Sequence, residues 1–169
     1  MKIRNSTQKL AVAALFAALT CVATMVIKIP SPLKGYLNLG DCVVLNAGWM
    51  LSPLYGFLAA GIGSAIADVF SGYAVYAPAT LLIKGLMALS AFYIHRILCK
   101  RIDSPISRLI SGLIAELIMV LGYYVFEGFM YGFTASLVNV PANAVQGAAG
   151  LILGFVLVKI LEKTKITFN

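Results

Sequence analysis

Charge is scarce in this chain: 11% of its 169 residues are Asp, Glu, Lys or Arg, and 61% are apolar. A soluble domain carries about 25% charged residues because its whole surface must be solvated. With a mean hydropathy of +0.95, this composition cannot cover such a surface, and the chain reads as a membrane protein. Histidine occurs once, as His95, with no ligand set around it. The three cysteines, Cys21, Cys42 and Cys99, are scattered in or beside apolar runs. That excludes a disulfide framework and a thiolate metal site, and leaves them to pack as small hydrophobes. No Gly-x-Ser-x-Gly, His-Glu-x-x-His or Cys-x-x-Cys pattern occurs, so hydrolytic and metal chemistry lack their residues. No cofactor, metal or enzymatic activity is expected. The Walker phosphate loop is also missing; if this chain moves a solute uphill with ATP, another subunit must hydrolyse it. The length leaves no room for a large extramembrane catalytic domain, and one domain over 1–169 is expected.

What the chain does have is a series of apolar runs. The first, Leu10 to Ile27, follows a basic leader with Lys2, Arg4 and Lys9. It ends in Thr24-Met25-Val26-Ile27 rather than a short-side-chain cleavage pattern, so it is expected to be a retained helix. Ile29 to Tyr36 contains two prolines and a glycine and reads as a loop. Further helices are predicted at about Leu39 to Leu51, Leu54 to Phe70, Pro78 to Leu98, Ile106 to Phe126 or slightly beyond, and Pro141 to Leu161. The expectation is an all-α, polytopic membrane protein with six transmembrane helices. The second run is short for a crossing of about 20 residues, which implies tilt, a bend, or a start inside the loop.

Thirteen basic residues against six acidic ones would raise the question of nucleic acid in a soluble protein. Here they stand at the ends of apolar runs and act as topology signals, and no nucleic-acid partner is expected. With both termini cytoplasmic, that face collects Lys2, Arg4, Lys9, Arg96, Lys100, Arg101, Arg108, Lys159, Lys163 and Lys165. Lys28 and Lys34 fall outside, and Lys84 lies within a helix.

Polar groups are expensive at membrane depth, so each one there is a functional candidate. Asp68 and Lys84 have opposite charge and similar depth on neighbouring helices; they either pair with each other or both face a ligand cavity. Asn139, Asn143 and Gln146 share one face of the last helix, and Glu116, Tyr123 and Glu127 share one face of the fifth. The two stripes converge on an outward-facing pocket, with Glu116 deeper and more structural. Asn46 and Trp49 on the second helix, and Tyr36, Asn38 and Asp41 before it, add donors, acceptors and ring surface. Small-residue ladders, Ala13/Ala17 and Ala14/Ala18, then Gly56-Ala60-Ser64 and Gly150/Gly154, allow close helix approach.

The segments Leu39-Gly40-Asp41, Leu51-Ser52-Pro53-Leu54-Tyr55-Gly56, Gly61 to Asp68, and Ser71 to Thr80 with Lys84-Gly85 resemble the S components of energy-coupling factor (ECF) vitamin transporters. The branch in question includes hydroxymethylpyrimidine, pyridoxine-type and riboflavin carriers. The resemblance covers essentially the whole chain and implies a vitamin-binding subunit of a bacterial plasma membrane, closed over by the loop at about Pro30 to Gly40. It implies association, through Ala13, Ala14, Ala17 and Ala18, with a transmembrane scaffold subunit and two cytoplasmic ATPases. It also implies that the S component topples in the bilayer to deliver its ligand inward. Asp68, Tyr73, Tyr76 and Lys84 fall within the matching motif. Asp68, Lys84, amides and tyrosines suit a small ring with hydroxyl and nitrogen groups, pyridoxine-like or hydroxymethylpyrimidine-like. Riboflavin or another B vitamin is the alternative cargo, and a self-sufficient proton-coupled secondary transporter the alternative class.

Overall fold

The computed structural model describes residues 5–31 and 35–163. Lys2, Arg4, Lys34 and Lys165 lie outside the described residues, as does part of the expected closing loop. The architecture is almost wholly helical. Helix α1 spans Ser6–Val26, α2 Asp41–Met50, α3 Pro53–Phe70, α4 Ala77–Leu98 and α5 Ser104–Tyr131. A short α6, Phe133–Ser136, and a 3-10 turn, Leu137–Asn139, lead into α7, Val140–Lys163.

Breaker residues set most boundaries. Pro53, Pro78 and Pro105 occupy the first turns of α3, α4 and α5, where the missing N–H costs no helical bond. The fifth helix runs on to Tyr131, past the expected end near Phe126, because Gly128 is accommodated in the helix and the chain turns only at Gly132, with φ +92°. The first helix begins at Ser6 rather than Leu10, since Ser6 to Lys9 are polar yet compatible with a helix. The loop after α1 contains a small antiparallel ribbon, β1 at Ile29–Pro30 and β2 at Tyr36–Leu37, pairing Ile29 with Leu37 and Pro30 with Tyr36. Pro30 gives up only one donor in so short a ribbon.

Among the described residues, five helical segments are long and apolar enough to cross a bilayer: 6–26, 53–70, 77–98, 104–131 and the composite 133–163. The sixth expected crossing corresponds to α2, whose 10 residues span only about 15 Å, half the hydrocarbon thickness. It is an inner helix: Val43 to Trp49 are all buried. On one side it shares a core with α4, α5 and α7, through Val44, Leu45, Trp49, Met87, Met119 and Leu151. On the other it meets α1 and α3 through Val43, Ala47, Ala13, Phe16 and Ala59.

Small residues let the backbones close up. A Cβ at Gly48 would stand 2.6 Å from the Ala88 carbonyl oxygen of α4, and one at Gly63 would stand 2.4 Å from that of Ala17 on α1. Ala60 and Ser64 of the α3 ladder are buried inside the bundle. With no hydrophobic drive between helices in lipid, such close packing is what holds them together.

The two ends of the bundle differ in charge. The ribbon, the end of α3 and the start of α4 lie at one end. At the other, the Ser107 hydroxyl meets His95 Nδ1 at 2.6 Å, Arg108 donates to Glu162 at 2.5 Å, and Lys9 comes close to Leu51, Ser52 and Tyr55.

A candidate ligand cleft under the ribbon

Beneath the ribbon, the ends of α3, α4, α5 and α7 enclose a cleft of about 390 Å³, open space at its mouth included. Four tyrosines form much of its wall: Tyr36 from β2, Tyr73 from the α3–α4 turn, Tyr76 just before α4, and Tyr123 from α5. The Tyr36 and Tyr73 rings lie 4.7 Å apart, centroid to centroid, and Tyr73 meets Tyr76 edge-on at 6.5 Å. Asp68, Glu127, Asn38, Asn143, Gln146, Ser31, Thr80 and Gly35 complete the lining.

The polar groups are fixed by one another. Tyr36 donates to Asp68 Oδ1 across 2.7 Å, joining the ribbon to α3. Burial, then the adjacent Asp68 carboxylate, push the Tyr36 phenol well above its ordinary range, so it stays protonated and able to donate. Burial does the same for Tyr76, reinforced by Tyr131 and the Glu127 charge. Glu127 Oε1 accepts from Asn139 Nδ2 at 2.8 Å and from the Tyr76 hydroxyl at 3.4 Å. Thr80 and Tyr123 share a hydrogen bond of 3.1 Å between α4 and α5. Asp68 Oδ2 and Glu127 Oε2 are buried with no hydrogen-bond partner among the described residues.

Of the residues expected at the pocket, Tyr36, Asn38, Asp68, Tyr73, Tyr76, Glu127, Asn143 and Gln146 line this cleft. Asp41, Asn46, Lys84 and Asn139 stand behind the wall. Lys84 pairs with Asp41, in the first turn of α2, and not with Asp68. Both members are buried, and Gln146 Nε2 donates to the other Asp41 oxygen at 2.6 Å. The pairing follows from packing: α2 lies against both α4 and α7, which carries the lysine and the amide to the same carboxylate, while Tyr36 occupies Asp68. Gln146 Oε1 in turn accepts the Asn38 backbone N–H at 2.9 Å, so one side chain ties the loop, α2 and α7 together. Asn46 donates to the carbonyls of Cys42 and Gly154 and clips α2 to α7. Trp49 points away from the cleft and donates its indole N–H to Ser111 at 3.0 Å. Glu116 is deep and 6% exposed; its carboxyl lies against Gly147 and Gly150, and neither oxygen has a hydrogen-bond partner among the described residues.

Sequence reasoning left out Ser31, Gly35 and Thr80 as lining residues. Thr80 had a usable signal, one helical turn after Tyr76 and so on the same face. Ser31 and Gly35 fell within the loop expected to close over the ligand, but the ribbon that brings them over the cleft has no periodicity to single them out. On α1, Ala13 is buried and Ala17 half-buried against α3, whereas Ala14 and Ala18 face outward among exposed Leu10, Leu15, Val22 and Val26.

The family model for the ECF-type riboflavin transporter S component matches residues 4–163. A Lactococcus lactis subsp. cremoris protein, the thiamine precursor transporter HmpT, is 26% identical over 168 residues, covering 96% of this chain and 92% of that one. An uncharacterized protein from the gap 3' region of Pyrococcus woesei is 34% identical over 144 residues, covering 84% of this chain and 93% of that one. The fold matches the solved S component of a bacterial ECF transporter with a TM-score of 0.76 at 23% identity, over 95% of this chain and 98% of that one. It matches the S component for biotin from an ECF-type ABC transporter with a TM-score of 0.68 at 17% identity, over 95% of each chain. The chain belongs to the family of ECF transporter S components: it is a multi-pass membrane transport subunit and not an enzyme.

Proposed function

We propose that this chain captures a small heteroaromatic vitamin or vitamin precursor, hydroxymethylpyrimidine-like or pyridoxine-like, in the cleft beneath the ribbon. The observation that carries this reading is the cleft itself: four tyrosine faces for stacking, with carboxylates, amides and hydroxyls converging from the ends of the helices. The relative HmpT, a thiamine precursor transporter by name, supports a precursor-sized cargo.

The cleft opens outward in this reading. Arg96, Lys100, Arg101, Arg108, Lys159 and Lys163 belong to the opposite end, which the positive-inside rule assigns to the cytoplasm. In a bacterial plasma membrane both termini would then be cytoplasmic, with α2 and its flanking loops making the sixth pass. Captured ligand passes to an ECF module of one transmembrane scaffold and two ATPases, engaged through the outward face of α1 at Ala14 and Ala18. Ala13 and Ala17 support that helix from within.

The test is a calorimetric titration of the purified chain, made in vitamin-depleted medium, with hydroxymethylpyrimidine, pyridoxine, thiamine, riboflavin and pantothenate. One-to-one binding of a single small ring, without ATP or an ion gradient, is expected. Failure of every compound against folded protein would overturn the capture role. Uptake by proteoliposomes holding this chain alone under a pH gradient would point instead to a self-sufficient carrier, with buried Glu116 as its proton-binding group.

A further inference from the structure

The cleft is rich in acceptors and poor in positive charge. Two carboxylates reach it: Asp68 Oδ1 accepts from Tyr36, with the Thr80 hydroxyl also close to this carboxylate, and Glu127 Oε1 accepts from Asn139 and Tyr76. Asp68 Oδ2 and Glu127 Oε2 are left without hydrogen-bond partners among the described residues, on side chains of residues only 5% and 3% exposed. A buried acceptor without a donor is costly, and a carboxylate oxygen more so, unless something that enters the site satisfies it.

Among the described residues, no Lys, Arg or His lines the cleft. Lys84 comes nearest, but its ammonium is held by Asp41 and lies behind the Tyr123 ring, 5.5 Å from the centroid. Lys28 is at the exposed rim, where it donates to Ser71 at 3.2 Å. Gln146, the most buried amide of the lining, already has its oxygen on Asn38 and its nitrogen on Asp41. An anionic ligand would therefore bring a third negative charge to two carboxylates, with no cation among the described lining residues to meet it.

We propose that the cleft selects a ring that donates hydrogen bonds and carries no negative charge: a nitrogen heteroaromatic, neutral or cationic, whose exocyclic amino or hydroxyl hydrogens reach Asp68 Oδ2 and Glu127 Oε2 while tyrosine faces hold the ring. This rests on the capture role proposed above and narrows its ligand class. An aminopyrimidine fits best, because its amino group supplies two hydrogens beside a ring nitrogen. A ring bearing a carboxylate or phosphate is refused. Asp68 and Glu127 are thereby specificity determinants, and Lys84 is not an anion receptor.

The experiment titrates the purified full chain with four probes: 4-amino-5-hydroxymethylpyrimidine, its 4-oxo analogue, pyridoxine, and 4-pyridoxate, which carries a carboxylate. The amino compound is expected to bind one-to-one and 4-pyridoxate at least about 100-fold more weakly than pyridoxine, as like charges in a dry site require. Asp68→Asn and Glu127→Gln are each expected to weaken the amino compound by about tenfold or more while changing the oxo analogue by less than about threefold. Because the ratio of two ligands is read on the same protein, a general loss of folding does not imitate the result. Binding of 4-pyridoxate as tight as pyridoxine, or an amino-to-oxo ratio unmoved in both variants, overturns the charge selection and leaves the capture role standing. Absence of binding by all four probes to protein shown to be folded overturns the capture role and the selection with it.

Discussion

Tyr36 donates its phenolic proton to Asp68 Oδ1 over 2.7 Å and thereby joins the ribbon after α1 to the last turn of α3. The second oxygen of the same carboxylate is buried without a hydrogen-bond partner among the described residues. A hydrogen bond to a charged group contributes roughly 1.5–3 kcal/mol, enough to hold a short loop in place. Tyr36→Phe keeps the ring and its contact with Tyr73 but removes the bond. Ligand affinity measured by calorimetry should fall about tenfold with little change in unfolding temperature; unchanged affinity would show that the ribbon does not hold the site closed.

The Lys84–Asp41 pair is a stability element behind the cleft. Removing one partner leaves an uncompensated buried charge, a loss of about 3–5 kcal/mol, while replacing both with apolar groups costs less. Thermal unfolding in detergent should place Lys84→Met and Asp41→Leu well below wild type, with the double variant above either one. Additive losses in the double variant would mean that the two charges do not depend on each other.

The outward face of α1 offers a cleaner test of assembly than the inward one. Ala14→Trp and Ala18→Trp project into the space beside the exposed leucines and valines, and should spare ligand binding while abolishing co-purification with an ECF module. Gly63→Leu is the contrasting control, because its side chain meets the Ala17 backbone and should lower the unfolding temperature. Retained co-purification with both tryptophan variants would move the partner surface off this face.

Trp49 is 8% exposed and packs edge-on against Phe155, 5.6 Å between ring centroids, away from the cleft lining. Its emission should be that of a buried indole and should change by less than about a tenth on ligand binding, since it does not itself line the cleft. A tryptophan introduced by Tyr73→Trp should instead respond to ligand. A strong native Trp49 signal would require a rearrangement of the inner core on binding.

The sequence by itself determined the membrane character, the helical periodicity and most helix limits, because apolar content, proline positions and basic flanks act through local chemistry. It also brought out the polar candidates, since a charge or amide within an apolar run stands out wherever its partner lies. Periodicity could not say which of them share a wall. Asp68 and Lys84, alike in depth and opposite in sign, were expected either to pair or both to face a cavity, yet Lys84 is claimed by Asp41, 43 positions away in the chain, because α2 is a half-length helix wedged between α4 and α7. Asn46 and Trp49 were equally conspicuous, and both prove to be fasteners inside the bundle, facing Gly154 and Ser111. The ribbon over the cleft had no pattern to read, since two residues in each strand establish neither alternation nor a run. Only tertiary structure decided which polar groups satisfy one another and which are left free, because that depends on the directions in which packed helices aim their side chains. The two carboxylate oxygens at the cleft that have no hydrogen-bond partner among the described residues, on Asp68 and Glu127, are the result of that sorting.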